Sequence, residues 1–168
     1  GMEQCIRDLR ISQIYEGTNG VQSQDLIGRK TIKCGGTFLA EYIQEIRDFT
    51  NNLDADLNFI KDATLDAATE VESVTQFILE KAAEDADYAN AAAVDYLHAV
   101  GLLSFSYMFA KIAAAAKNKE GEFYQNKLAL AHYFVQRILP ELAMRVQKVK
   151  AGAELVMNFS EDYFTNQS

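Results

Sequence analysis

At 168 residues, 49% of them hydrophobic, the chain can bury one full-sized core. One proline, nine glycines and no tryptophan suit long uninterrupted helices better than a turn-rich sandwich. A net charge of -8 argues against a nucleic-acid partner, because nucleic acid selects basic surfaces.

Residues 2–18 carry Ile6, Leu9, Ile11, Ile14 and Tyr15 and read as an extended segment with enough apolar surface to want a partner. A short helix is predicted from about Asn19 to Lys30, with Thr18 and Asn19 suited to capping it and the breaker pair Gly35-Gly36 beyond its end. From Thr37, residues Leu39, Tyr42, Ile43, Ile46 and Phe49 fall at helical spacing up to Thr50-Asn51-Asn52. Asp54 is placed to cap the next helix, whose face is marked by Leu57, Ile60, Ala67, Ala68, Val71, Val74, Phe77 and Ile78 to about Glu84. Asp85 or Asp87 opens a third, carrying Val94, Leu97, Leu102, Phe105, Met108 and Ile112. After the turn at 117–121 a fourth follows with Leu128, Ala131, Val135, Ile138, Leu142, Val146 and Val149, and Pro140 inside it predicts a kink. The fold class is therefore all-α: an antiparallel bundle of four long helices, preceded by a short helix and an extended N-terminal segment.

Charge is unevenly distributed. Residues 41–95 hold 14 acidic side chains against three basic, and residues 96–150 hold eight basic against three acidic. Acidic helices followed by basic ones attract each other across a bundle and favour one packing order, although single surface pairs contribute little. Ala99 to Ala116 is nearly apolar, but with Lys111, Ser104, Ser106 and many alanines it reads as a central bundle helix rather than a membrane span. His98 and His132 lack ligands at metal spacing, and Glu70/Glu72 and Glu84/Asp85 lack Glu-x-x-His companions, so no metal site is expected. Cys5 and Cys34 read as ordinary reduced thiols. No secretory leader is recognisable, and a cytoplasmic location is expected.

Most of the functional information lies between residues 7 and 30. Arg7-Asp8-x-Arg10-Ile11, then Ile14-Tyr15-Glu16-Gly17-Thr18-Asn19, then Gln22, Asp25-Leu26 and Gly28-Arg29-Lys30 stand in one register. Glu16 has apolar neighbours that would raise its pKa towards that of a general base, and Gly17 lets the backbone approach a ligand. The helix N-terminus that follows is suited to a pyrophosphate or carbonyl oxygen. This run resembles the catalytic segment of the acyl-CoA dehydrogenases. The resemblance implies that Glu16 is the catalytic base that removes the proton alpha to the thioester, that Gly17 lines the acyl-CoA site, and that Thr18, Asn19 and Gly20 contact FAD. Members often carry Gln where Gly20 stands, so a side-chain contact from that position is absent here.

The resemblance further implies a trans-2-enoyl-CoA product, an electron-transferring flavoprotein as acceptor and a homo-oligomer. It divides the chain into residues 1–35, the tail end of a catalytic domain, and residues 36–168, a C-terminal helical extension found in a subset of the family. Gly1 reads as a tag remnant, and the resemblance favours Met2 as an internal methionine of a longer chain. On this reading the chain alone is inactive, because the surfaces that enclose flavin and CoA lie upstream. Two alternatives stay open: a helical scaffold or oligomerisation module without catalysis, and part of an acyl-CoA oxidase.

Overall fold

The computed structural model describes residues 2–10 and 18–160. Helix α1 spans Met2–Arg10, and α2 spans Asn19–Gln24 and runs on without a break into a π-helical stretch, Asp25–Ile32. Then come α3 (Thr37–Asn51), a 3-10 turn (Ala55–Leu57), α4 (Asn58–Glu84), α5 (Ala86–Ala116) and α6 (Glu122–Tyr133). A π-turn at Phe134–Ile138 leads to α7 (Glu141–Lys150), and α8 (Glu154–Met157) is one short turn. No strand occurs among the described residues.

Cross-helix contacts establish the antiparallel order. Between α4 and α5, Thr75 meets Tyr96 at 3.0 Å and Thr64 meets Ser106 at 2.8 Å, so numbers rise on one helix as they fall on the other. Between α5 and the last helices, Tyr88 donates to the Val149 carbonyl at 2.6 Å, Arg145 to Asp95 at 2.8 Å, and Phe109 stacks on Phe134. The core runs the length of this bundle, with Ile43, Ile46, Ile60, Val71, Val74, Ile78, Tyr96, Leu103 and Phe134 almost wholly buried. Several ion pairs join the acidic and basic halves as the charge pattern suggests: Lys111 to Glu45, Lys117 to Asp54, and Arg145 and Lys148 to Asp95.

Four details differ from the sequence reading. Residues Met2–Arg10 are helical rather than extended, and none of them is buried. Asp54 makes no capping bond to the turn it precedes and pairs with Lys117 instead, whereas Asp85 does cap α5 by accepting from the Asp87 amide at 2.9 Å. On α5 only Leu102 of the expected stripe is buried, Leu97 and Ile112 are half-buried, and Val94, Phe105 and Met108 are exposed, Phe105 to 60%, while Ala92, Ala93, Tyr96, Ala99, Leu103, Tyr107 and Ala110 are buried. Alanines let neighbouring helices approach closely, and because α5 is apolar all round, periodicity alone cannot choose its inner face. In the fourth helix the π-turn inserts a residue into the register, so Leu139 is buried where Ile138 was expected, and Pro140 ends the turn ahead of Glu141.

The thirty-residue stretch Asp87–Ala116 is long and apolar enough to cross a membrane. It packs against α2, α4, α6 and α7, as a central helix does. His132 stacks face to face on Phe59, with ring centroids 3.6 Å apart, and His98 is exposed.

Candidate functional site

Glu16 and Gly17 lie outside the described residues. Thr18, Asn19 and Gly20 are described, adjacent and exposed at the start of α2. Thr18 caps that helix: its Oγ1 accepts from the Val21 amide at 3.4 Å, and its carbonyl accepts from the Gln22 amide at 3.1 Å. Its backbone sits at φ 48°, ψ 132°, the one non-glycine residue with positive φ among those described. Such a conformation costs about 1–3 kcal/mol and persists where the surroundings impose it. At Gly20 an added Cβ would meet nothing within 4 Å, so the space a longer side chain would fill is open.

Behind this exposed corner the segment is pinned to the bundle. Ser23, Ile27 and Thr31 fall four residues apart, as one face of a helix requires, and all three are buried. Ser23 spends its hydroxyl on the Gly20 carbonyl at 2.8 Å, which stiffens the first turn. Asp25 pairs with Arg29 one turn on, and Lys30 lies within 3.9 Å of the same carboxylate. Thr31 reaches the Leu26 carbonyl at 3.0 Å and the Tyr96 hydroxyl at 3.3 Å. Tyr96 also meets Thr75, so a buried line of three hydroxyls crosses from the π-helical stretch to α5 and α4. Burial raises the Tyr96 phenol above its ordinary pKa, so it remains a hydrogen-bond donor at neutral pH. Sequence reasoning missed this line; threonines in two helices and one tyrosine in a third carry no local signal of meeting.

Cys34 follows the π-helical stretch. Amides at the start of α3, chiefly that of Phe38, lower its thiol below the ordinary value, while Sγ lies 3.0 Å from the Lys30 carbonyl. Both Cys5 and Cys34 are free thiols. Among the described residues no three His, Cys, Asp or Glu side chains form a group able to hold a metal ion.

Surface grooves are modest. One of about 310 Å³ lies between the π-helical stretch, α3 and α5, lined by Leu26, Lys30, Thr31, Phe38, Tyr42 and Val100 among others. A second, of about 260 Å³, lies between α4 and the Pro140 bend, with Asp66 and Glu70 at its edge. Neither is large enough to enclose a dinucleotide and a CoA thioester together.

Residues 42–160 match the family described as Acetyl-CoA dehydrogenase C-terminal like. The chain is 30% identical, over 95% of its length, to 3-methylmercaptopropionyl-CoA dehydrogenase of Ruegeria pomeroyi, of which it covers 29%. It is 25% identical, over 97% of its length, to a broad-specificity linear acyl-CoA dehydrogenase of Mycobacterium tuberculosis, again covering 29%. A butyryl-CoA dehydrogenase of Syntrophomonas wolfei is 25% identical over 94% of the chain, which covers 28% of that protein. The chain thus spans less than a third of the length of these curated relatives. On the family match across most of its length, it belongs to the acyl-CoA dehydrogenase family and corresponds to that family's C-terminal portion.

Proposed function

We propose that this chain is the C-terminal part of a flavin-dependent acyl-CoA dehydrogenase, residues 1–35 completing the catalytic domain and residues 36–168 forming a helical extension. The observation that carries the reading is the motif register, Arg7 through Lys30 with Tyr15-Glu16-Gly17-Thr18-Asn19 at its centre, in a chain aligned to dehydrogenases over 95% of its length. Support comes from the corner at Thr18. A strained backbone next to a glycine, two exposed polar side chains and open space beside Gly20 suit one edge of a larger site. The two grooves described above fit that role as well, since each supplies an edge rather than an enclosure.

In this reading Glu16 takes the proton alpha to the thioester carbonyl. Its carboxylate must be close to the acyl chain and desolvated by it, so that its pKa rises towards the operating pH. Gly17 admits the thioester close to the backbone, and Thr18, Asn19 and Gly20 orient the edge of the flavin. FAD, when bound, accepts the hydride leaving the beta carbon. The product is a trans-2-enoyl-CoA, an electron-transferring flavoprotein is the acceptor, and the whole protein is a cytoplasmic homo-oligomer. The chain by itself is inactive. A second reading, a helical scaffold without catalysis, draws on the exposed Phe38, Phe105, Phe123 and Tyr133, which would serve an assembly surface equally well.

The test is turnover by the full-length protein with a panel of acyl-CoAs and an artificial electron acceptor. Acyl-CoA-dependent reduction supports the dehydrogenase. A folded full-length protein without bound flavin or reduction of any acceptor supports the scaffold.

A further inference from the structure

We propose that Tyr96, on α5 of the bundle, is a positioning residue for the catalytic motif, acting through Thr31; its effect on catalysis rests on the dehydrogenase reading above. The Tyr96 hydroxyl meets Thr31 and Thr75. What it holds is the far end of the helical stretch that the motif opens.

The argument begins with protons. Thr31 Oγ1 lies 3.0 Å from the Leu26 carbonyl and 3.3 Å from the Tyr96 hydroxyl. Thr75 Oγ1 lies 2.7 Å from the Val71 carbonyl and 3.0 Å from the same tyrosine. Carbonyls only accept, so three hydroxyl protons serve four contacts. One contact therefore goes without a proton, and in three of the four possible arrangements the Thr31–Tyr96 contact keeps one. In those three Tyr96 ties the π-helical stretch to α5, and in two of them the bonds continue to α4. Without its hydroxyl, each threonine can donate to its own helix, Thr31 to Leu26 and Thr75 to Val71. Tyr96→Phe thus breaks the cross-tie without orphaning a buried donor, the usual complication of such substitutions.

Geometry supplies the consequence. Thr31 stands near the C-terminal end of a continuous helical stretch that begins at Asn19. At about 1.5 Å per residue Asn19 is about 18 Å from Thr31, so a 10° swing of the stretch moves the motif corner by about 3 Å. Catalytic groups need placement within about 0.5 Å, and a misplacement of about 1 Å can reduce a rate about 100-fold. Ile27 contributes packing and Ser23 bonds within its own turn, so the directional tie to the bundle comes from Thr31.

The experiment is amide hydrogen exchange on this chain, comparing wild type, Tyr96→Phe and the control Ser106→Ala, which removes the other buried hydroxyl pair between α4 and α5. Tyr96→Phe should raise exchange across residues 19–32 by about five- to tenfold beyond any change in α4 and α7, and Ser106→Ala should not. If Tyr96→Phe does not fold, Thr31→Val cuts the same tie from the other side and should give the same local signature. In the full-length enzyme, Tyr96→Phe should lower kcat several-fold with KM for acyl-CoA unchanged. Uniform exchange, or no change at 19–32, overturns the tie, and local exchange with unaltered kcat overturns its catalytic role. Failure of the dehydrogenase reading shows separately, as absence of turnover in the wild-type protein.

Discussion

Helix α5 offers a direct way to separate pattern from packing, because Leu103 and Phe105 stand two residues apart on a helix that is apolar all round. Leu103 is fully buried and Phe105 is 60% exposed. Truncating a buried leucine removes its transfer free energy and leaves a cavity, so Leu103→Ala should cost about 2–5 kcal/mol. Full burial of a phenylalanine is worth about 1.5–3 kcal/mol, and with most of the ring in water Phe105→Ala should cost at most about 1 kcal/mol. For a chain of this size about 2–4 °C accompanies each kcal/mol, so Leu103→Ala should lower Tm by roughly 4–20 °C and Phe105→Ala by about 4 °C or less. Urea unfolding followed by far-UV circular dichroism, at a concentration where the chain is monomeric, measures both losses, with unchanged m-values as the check on two-state behaviour. If Phe105→Ala cost as much as Leu103→Ala, the assignment of the inner face of α5 would be wrong.

Other outcomes follow from single features. Gly36 has φ +78°, and an added Cβ would meet Leu79 Cδ1 at 3.1 Å, so Gly36→Ala should cost about 1–2 kcal/mol in the same unfolding assay, whereas Gly28→Ala, which meets nothing, should not. Arg47 grips the Glu72 carboxylate with bonds of 2.7 and 3.1 Å and holds its pKa below the ordinary range. Because Glu72 titrates lower in the folded state than unfolded, its contribution is complete above the ordinary carboxylate pKa of about 4.3 and is lost as pH falls through the lowered folded value. With both groups partly exposed that contribution is about 0.2–1 kcal/mol, so the stability gap between wild type and Glu72→Gln should be constant from about pH 7 to 5 and close under more acidic conditions. Purified alone, the chain should be colourless and should not quench FAD fluorescence at micromolar concentration; a yellow preparation would contradict the need for enclosing surfaces.

Helix existence and order were legible wherever polar and apolar residues alternate at helical spacing, as along α3, where Leu39, Ile43 and Ile46 are buried as expected. Legibility failed where periodicity carries no choice. On α5, alanine and large apolar residues surround the helix, and close packing of the alanine face decided which side turned inward. It failed again at Phe134–Ile138, where one inserted residue moves burial from Ile138 to Leu139; Pro140 predicted a bend but not the register shift ahead of it. The motif was legible because its residues are contiguous. The buried hydroxyl line was not, since Thr31, Thr75 and Tyr96 come together only once three helices have packed.

The central claim, that Glu16 is the base of an acyl-CoA dehydrogenase, is tested most directly by single-turnover flavin reduction in the full-length enzyme carrying Glu16→Gln. The substitution keeps shape and removes the proton acceptor. Reduction should slow by at least about 10²–10⁴-fold while acyl-CoA binding survives, with Asp25→Asn as a control that alters stability more than rate. Reduction of the flavin by Glu16→Gln at the wild-type rate would contradict the assignment.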